Sequence, residues 1–138
     1  MQRLDTTSWS VETYLTQQNN MKKKHIIIPL VIYPFDVLVS LGEEHSVVVK
    51  TIKKSNYELD HEKTESLWMK GVGRTVMLKG GQTVIRLDNK NQGIIAHEVF
   101  HAVHFIFDKI GIELCQESGE SFAYLIQYLV SEINKKMK

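Results

Sequence analysis

A single cysteine, Cys115, stands in the 138 residues of this chain. That scarcity excludes an intrachain disulfide and any zinc cluster built on cysteine thiolates, and it suits a reducing compartment. Neither sign of charge dominates: 17 Lys and Arg against 16 Asp and Glu leave a net charge of +1. A balance of this kind points to no polyanionic partner, so nucleic-acid binding is not expected. Long apolar runs are also missing. The nearest is HIIIPLVIYPFDVLVSLG, residues 25–42, which follows Lys22, Lys23 and Lys24 in the manner of an export signal. Pro29, Pro34 and Asp36 interrupt it, small residues suited to cleavage are wanting, and no uninterrupted stretch reaches bilayer length. The run is therefore expected to be a buried strand, with no membrane segment and a cytoplasmic location. Internal repeats and low-complexity tracts are absent as well.

What is there reads as one modest α+β domain. Residues 1–21 are polar with isolated Leu4, Trp9, Val11, Tyr14 and Leu15, and form an N-terminal extension or docking arm, leaving 22–138 as a single domain. Residues 26–41 are rich in β-branched and aromatic side chains and predict a strand in the middle of a sheet, ended by Gly42. Residues 43–56 open with acids and close with lysines, matching a helix dipole, although their valines also suit a strand. Residues 57–71 form a polar connector with room for a helical turn. RTVMLKGGQTVIRLDN, from residue 74, predicts a hairpin turning at Lys79-Gly80-Gly81. Two helices follow, over 92–109, stopped by Gly111, and over roughly 117–136. The order is β-α-β-β-α-α, a short mixed or antiparallel sheet with a hairpin followed by two packed helices.

The first of these helices carries the chemistry. IIAHEVFHAVHF, residues 94–105, holds three of the six histidines of the chain. His97-Glu98-Val99-Phe100-His101 is H-E-x-x-H. Residues four apart share a helical face, so both imidazoles are able to meet one cation, and neutral imidazole nitrogens suit zinc. Glu98 stands about 100° round the helix, beside such a metal rather than on it, where it is placed to take a proton from water. Ile94, His97, His101, His104 and Asp108 form one stripe, while most of the remaining circumference is apolar. A helix of this kind is buried, and ionisable groups within it are costly unless paired or bound to metal. A catalytic zinc needs a third protein ligand. The opening of the last helix supplies candidates, with Glu117, Glu120, Tyr124, Tyr128 and Ser131 on one face. Two helices joined by a short link pack antiparallel. Glu120 then has to slide back toward His101 to reach it.

H-E-x-x-H followed by Gly119-Glu120-Ser121-Phe122-Ala123 resembles the gluzincin type of zinc metallopeptidase. GIIAHEVFHAVHF together with ESFAYLIQYL is similar to small zincin-like proteins of tailed phages and prophages. The resemblance covers about residues 70–133. It implies a zincin-like fold, a Zn2+ cofactor, His97, His101 and Glu120 as ligands with Glu117 as the runner-up, Glu98 as general base, and a protein or peptide substrate. A phage-encoded protein of this kind would work in the cytoplasm of its host. The larger gluzincins carry an aspartate four residues after the ligand glutamate. Tyr124 stands there in this chain, and Asp108 is the substitute candidate for orienting a ligand imidazole. For a second electrophile the candidates are Tyr124, His104 and Tyr128, and extended substrate is expected along a sheet edge, offered by residues 74–78 or 83–88. Two other functions compete with a zinc peptidase: a zinc-stabilised interaction or regulatory domain without turnover, and a phage structural protein.

Overall fold

A computed structural model describes residues 23–68 and 71–138; the extension or docking arm expected at 1–21 lies outside them. Among the described residues four strands and four helices run in the order β1 (Lys24–Pro29), β2 (Asp36–Leu41), α1 (His45–Lys54), α2 (His61–Ser66), β3 (Gly73–Met77), β4 (Thr83–Leu87), α3 (Gln92–Lys109) and α4 (Gly119–Lys136). The fold is α+β, as the sequence predicts. Across the sheet the order is β1-β2-β4-β3, with β2 and β4 parallel in the centre and an antiparallel partner on each outer side.

Alternation of side chains along the central strands builds two cores. Val37, Val39, Leu41, Ile85 and Leu87 point to one face, where α3 and α4 cover them through Ile95, Val99, Val103, Ile106, Phe107, Phe122, Leu125 and Leu129. Leu38, Val84 and Val76 point to the other, against Val48 and Ile52 of α1 and Leu67. This period-two division is what a sheet covered on both faces requires. The two glycines read as a turn do join β3 to β4. Gly81 has φ 95° and lies so close to Phe35 that a Cβ would fall 2.3 Å from the ring, so glycine is needed there on both counts.

One expectation needs correction. Residues 26–41 are not one strand but a hairpin, β1 and β2 joined through residues 30–35. The Tyr33 amide donates back to the Leu30 carbonyl at 3.1 Å, and the Leu30 amide donates to Phe35 at 3.2 Å. Pro34 has no amide to give a ladder, so the chain turns where the prolines fall. Val31 and Ile32, apparent core residues in the sequence, are 89% and 79% exposed at the tip.

The two long helices are set as their ends dictate. Asn91 caps α3, its Oδ1 accepting from the Ile94 amide at 3.2 Å. Gly111, at φ 83°, closes it, with the Ile112 amide donating to the Phe107 carbonyl at 2.8 Å. α4 then returns antiparallel beside α3. Phe107 and Phe122 meet edge to face at 4.6 Å, and the Gln92 and Asn134 side chains exchange hydrogen bonds of 2.7 and 2.9 Å at the other end. Tyr128 donates to the Pro29 carbonyl, tying α4 to β1. Among the described residues no helix is long and apolar enough to cross a membrane.

Phe107 is fully buried between Tyr33 and Phe122 and holds both helices to the first hairpin. Phe107→Ala is expected to cost about 3–5 kcal/mol of stability by urea denaturation, the range for a buried aromatic cut back to a methyl. A loss below about 1 kcal/mol would contradict this packing.

Candidate functional site

The face of α3 that turns from the core toward the outer strand β3 forms one wall of a cleft. Gly73, Arg74 and Thr75 of β3 form the other, and His97, Glu98, His101 and Phe105 complete the lining of a space of about 300 Å³. The helix reaches this position because Ile95, Val99, Ala102 and Ile106 are drawn onto the sheet. His97, Glu98 and His101 then fall on the β3 side at 100° per residue. Two ties seat β3 itself. The Asp88 amide donates to the Val72 carbonyl at 2.9 Å. Buried Arg86 of β4 donates to the carbonyls of Leu67 and Gly71 and pairs with Asp88, pinning the chain that leads into β3.

Three of the residues singled out in the sequence come together here. The Nε2 atoms of His97 and His101 lie 3.2 Å apart. Two imidazole nitrogens on a tetrahedral zinc, each about 2.0–2.1 Å from the metal, would stand about 3.3 Å apart, so the pair fits half of a zinc shell. Glu98 lies between them in sequence but points inward and is only 6% exposed. Its Oε1 accepts a hydrogen bond of 2.9 Å from the Thr75 hydroxyl. His97 is exposed and His101 half-buried, so the pair faces solvent while the carboxylate is held against the strand.

The remaining candidates lie elsewhere. Among the described residues no third His, Cys, Asp or Glu joins His97 and His101. Glu120 is exposed on the first turn of α4. Two offsets separate it from the pair. The Phe107–Phe122 and Gln92–Asn134 contacts set the register of the helices and place Glu120 level with Asp108. That is seven residues from His101, about 10 Å along the axis at 1.5 Å per residue. The contacts of α4 also fall on the Phe107 side of α3, about 120° round the helix from His101. The antiparallel packing is therefore as expected, but the slide that would bring Glu120 to His101 does not occur. Glu117 is exposed as well; hydrogen bonding with its own backbone amide, and then with Cys115, holds its carboxyl below the ordinary value.

His104 is exposed and stacks on Phe100, with ring centroids 6.2 Å apart. Tyr124 is 66% exposed and lines a separate apolar cavity of about 370 Å³ with Leu30, Val31, Ile32 and Phe107. Tyr128 is occupied with Pro29. Asp108 is exposed and makes no hydrogen bond to either histidine among the described residues. Gly73 and Phe105 are cleft residues that sequence reasoning missed, while Arg74 and Thr75 fall in the 74–78 segment offered as a substrate edge. Gly71-Val72-Gly73-Arg74 draws attention as glycine-rich, but nothing local ties Thr75 to a glutamate 23 positions later.

Comparison with protein-family models, with curated proteins and with solved structures finds no match to this chain.

The helix register predicts that Glu120→Ala leaves divalent-ion uptake at the wild-type level, whereas His101→Ala lowers it at least tenfold. Equilibrium dialysis of the folded variants against zinc checks both. Loss of uptake in Glu120→Ala would show that α4 reaches the histidine pair after all.

Proposed function

We propose that this protein is a zinc-dependent hydrolase of peptide bonds, with His97 and His101 as metal ligands and Glu98 as general base. The observation that carries the reading is the 3.2 Å separation of the two Nε2 atoms at the mouth of a cleft that also holds the Glu98 carboxylate. A bound zinc would supply Lewis acidity and a water activated near neutral pH. Glu98 would serve as the general base beside it, taking a proton from the attacking water and returning it to the leaving nitrogen. A carboxylate is suited to this shuttle when it is fixed, shielded from bulk water and in reach of the cleft. Glu98 meets those conditions through Thr75 and the wall of β3.

The substrate class follows from the edge. Among the described residues β3 has a hydrogen-bonded neighbour, β4, on one side only. Its free backbone groups on the other side suit an extended chain adding as a further strand, and Gly73 and Thr75 bring that strand against the cleft. A protein or peptide substrate is therefore proposed over a small molecule. Two imidazoles alone make a weak zinc site, since catalytic zinc takes three protein ligands. On this geometry Glu120 is not assigned as the third. The same shortage of donors favours a second reading, in which the two histidines share a hydrogen bond on the helix surface and the domain serves interaction or assembly without turnover.

Zinc content and peptide cleavage separate the two. The hydrolase reading predicts that Glu98→Gln retains zinc and loses at least about a hundredfold in cleavage of a denatured-protein or peptide-library substrate, the scale of a lost general base. Cleavage that survives Glu98→Gln, or wild type that takes up no zinc, contradicts it.

A further inference from the structure

Glu98 is held by more than its place on the helix. Its Oε1 accepts from the Thr75 hydroxyl at 2.9 Å, and the same hydroxyl lies 3.1 Å from the Glu98 carbonyl oxygen. A threonine hydroxyl has a single proton to give. The carbonyl already receives a helical amide, whereas an ionised carboxylate is the stronger acceptor, so the proton belongs to Oε1. On the other side of the carboxylate stands Gly73. A Cβ built there would fall 3.0 Å from Glu98 Cγ and 3.3 Å from Oε2. The strand thus leaves room for this carboxylate by having no side chain at one position, and grips it by a hydroxyl two residues on. Oε2 remains on the Gly73 side, without a hydrogen-bond partner among the described residues.

We propose that Thr75 is the positioning residue for Glu98: by holding Oε1 on β3 it presents Oε2 to the cleft as the oxygen that carries the proton. The inference rests on the hydrolase reading. In the step it serves, the water oxygen bonds to the carbonyl carbon and one water proton passes to Oε2. The proton then moves to the leaving nitrogen as the carbon–nitrogen bond breaks, and Thr75 keeps its own proton throughout. Glutamate has three rotatable side-chain bonds, so without the hydroxyl Oε1 and Oε2 exchange roles and the carboxylate samples other rotamers. Proton transfer depends on heavy-atom distance and alignment, and a misplacement near 1 Å costs on the order of a hundredfold.

Thr75→Val keeps the shape of the side chain and removes the hydroxyl, and Thr75→Ser keeps the hydroxyl. In the full chain loaded with zinc, Thr75→Val is expected to lower kcat about ten- to a hundredfold with KM within about twofold and zinc stoichiometry unchanged, while Thr75→Ser stays within about threefold of wild type. A role in packing alone predicts the opposite pattern, with the isosteric valine active and the smaller serine impaired, and that result would overturn the proposal. Crystal structures of the metal-free variants give a readout independent of turnover: Glu98 swings from its place in Thr75→Val and stays in Thr75→Ser. An unmoved Glu98 in Thr75→Val overturns the proposal even where cleavage is never detected. Zinc-loaded wild type that cleaves nothing defeats the hydrolase reading and leaves that structural comparison to decide the hold on Glu98. Should Thr75→Val fail to fold, Gly73→Ala serves in its place. Its Cβ would fall 3.0 Å from both Glu98 Cγ and Ile94 Cγ2 and so crowd the carboxylate's seat, and kcat unchanged from wild type would count against the arrangement.

Discussion

A carboxylate buried at the seam between α3 and β3 is the costly feature of this molecule, and the hydrogen bond from Thr75 is what makes it tolerable. Removing a polar group from water without a partner costs several kcal/mol at worst, and an unpaired charge costs more. Glu98 meets that demand with one hydroxyl from the neighbouring strand and a gap where Gly73 has no side chain. The seam in turn exists because α3 carries an apolar face of Ile95, Val99, Ala102, Val103, Ile106 and Phe107 that must lie on the sheet. Once that face is buried, helical geometry leaves little freedom. The residue before Glu98 and the one three beyond it emerge at the rim, four apart and on one face, with their ring nitrogens side by side.

The outer position of β3 matters for the same reason. In a central strand both sides of the backbone ladder would be occupied. At the edge, the backbone that holds Glu98 has no strand partner on its far side among the described residues. One short strand, Gly73–Met77, therefore supplies a wall, an anchor and an open ladder. Arg86, itself buried, fixes the approach to that strand through the carbonyls of Leu67 and Gly71, so the core beneath the sheet helps set the shape of the cleft above it. The second helix has a different part. α4 buttresses α3 from the side away from the cleft, where Phe122, Leu125 and Leu129 fill the core and Tyr128 reaches β1.

Local features of the sequence translated well. Gly81 and Gly111 mark a turn and a helix end because each acts through its own backbone neighbourhood. The H-E-x-x-H spacing placed two imidazoles together because four residues make just over one turn. Failures came where the outcome depends on distant partners. Val31 and Ile32 have the composition of a core strand, yet the prolines on either side of them make a turn and leave them in solvent. Glu120 has the right residue type at a suitable count from His101, but helix register is decided by which side chains meet across the interface. Phe107 with Phe122 and Gln92 with Asn134 set it about two turns away. The tie from Thr75 to Glu98 carried no sign, since a hydroxyl and a carboxylate 23 residues apart are joined only by the fold.

On the proposed reading His97 and His101 grip one divalent ion, and an anomalous difference map at the zinc edge, from crystals of the full chain grown with zinc, tests it. A single strong peak about 2.0–2.1 Å from both Nε2 atoms is the expected result, with its remaining ligands read from the same map. A map with no peak between the two rings, or with zinc only at other surface histidines, would contradict the account and leave the pair as two hydrogen-bonded imidazoles on an exposed helix face.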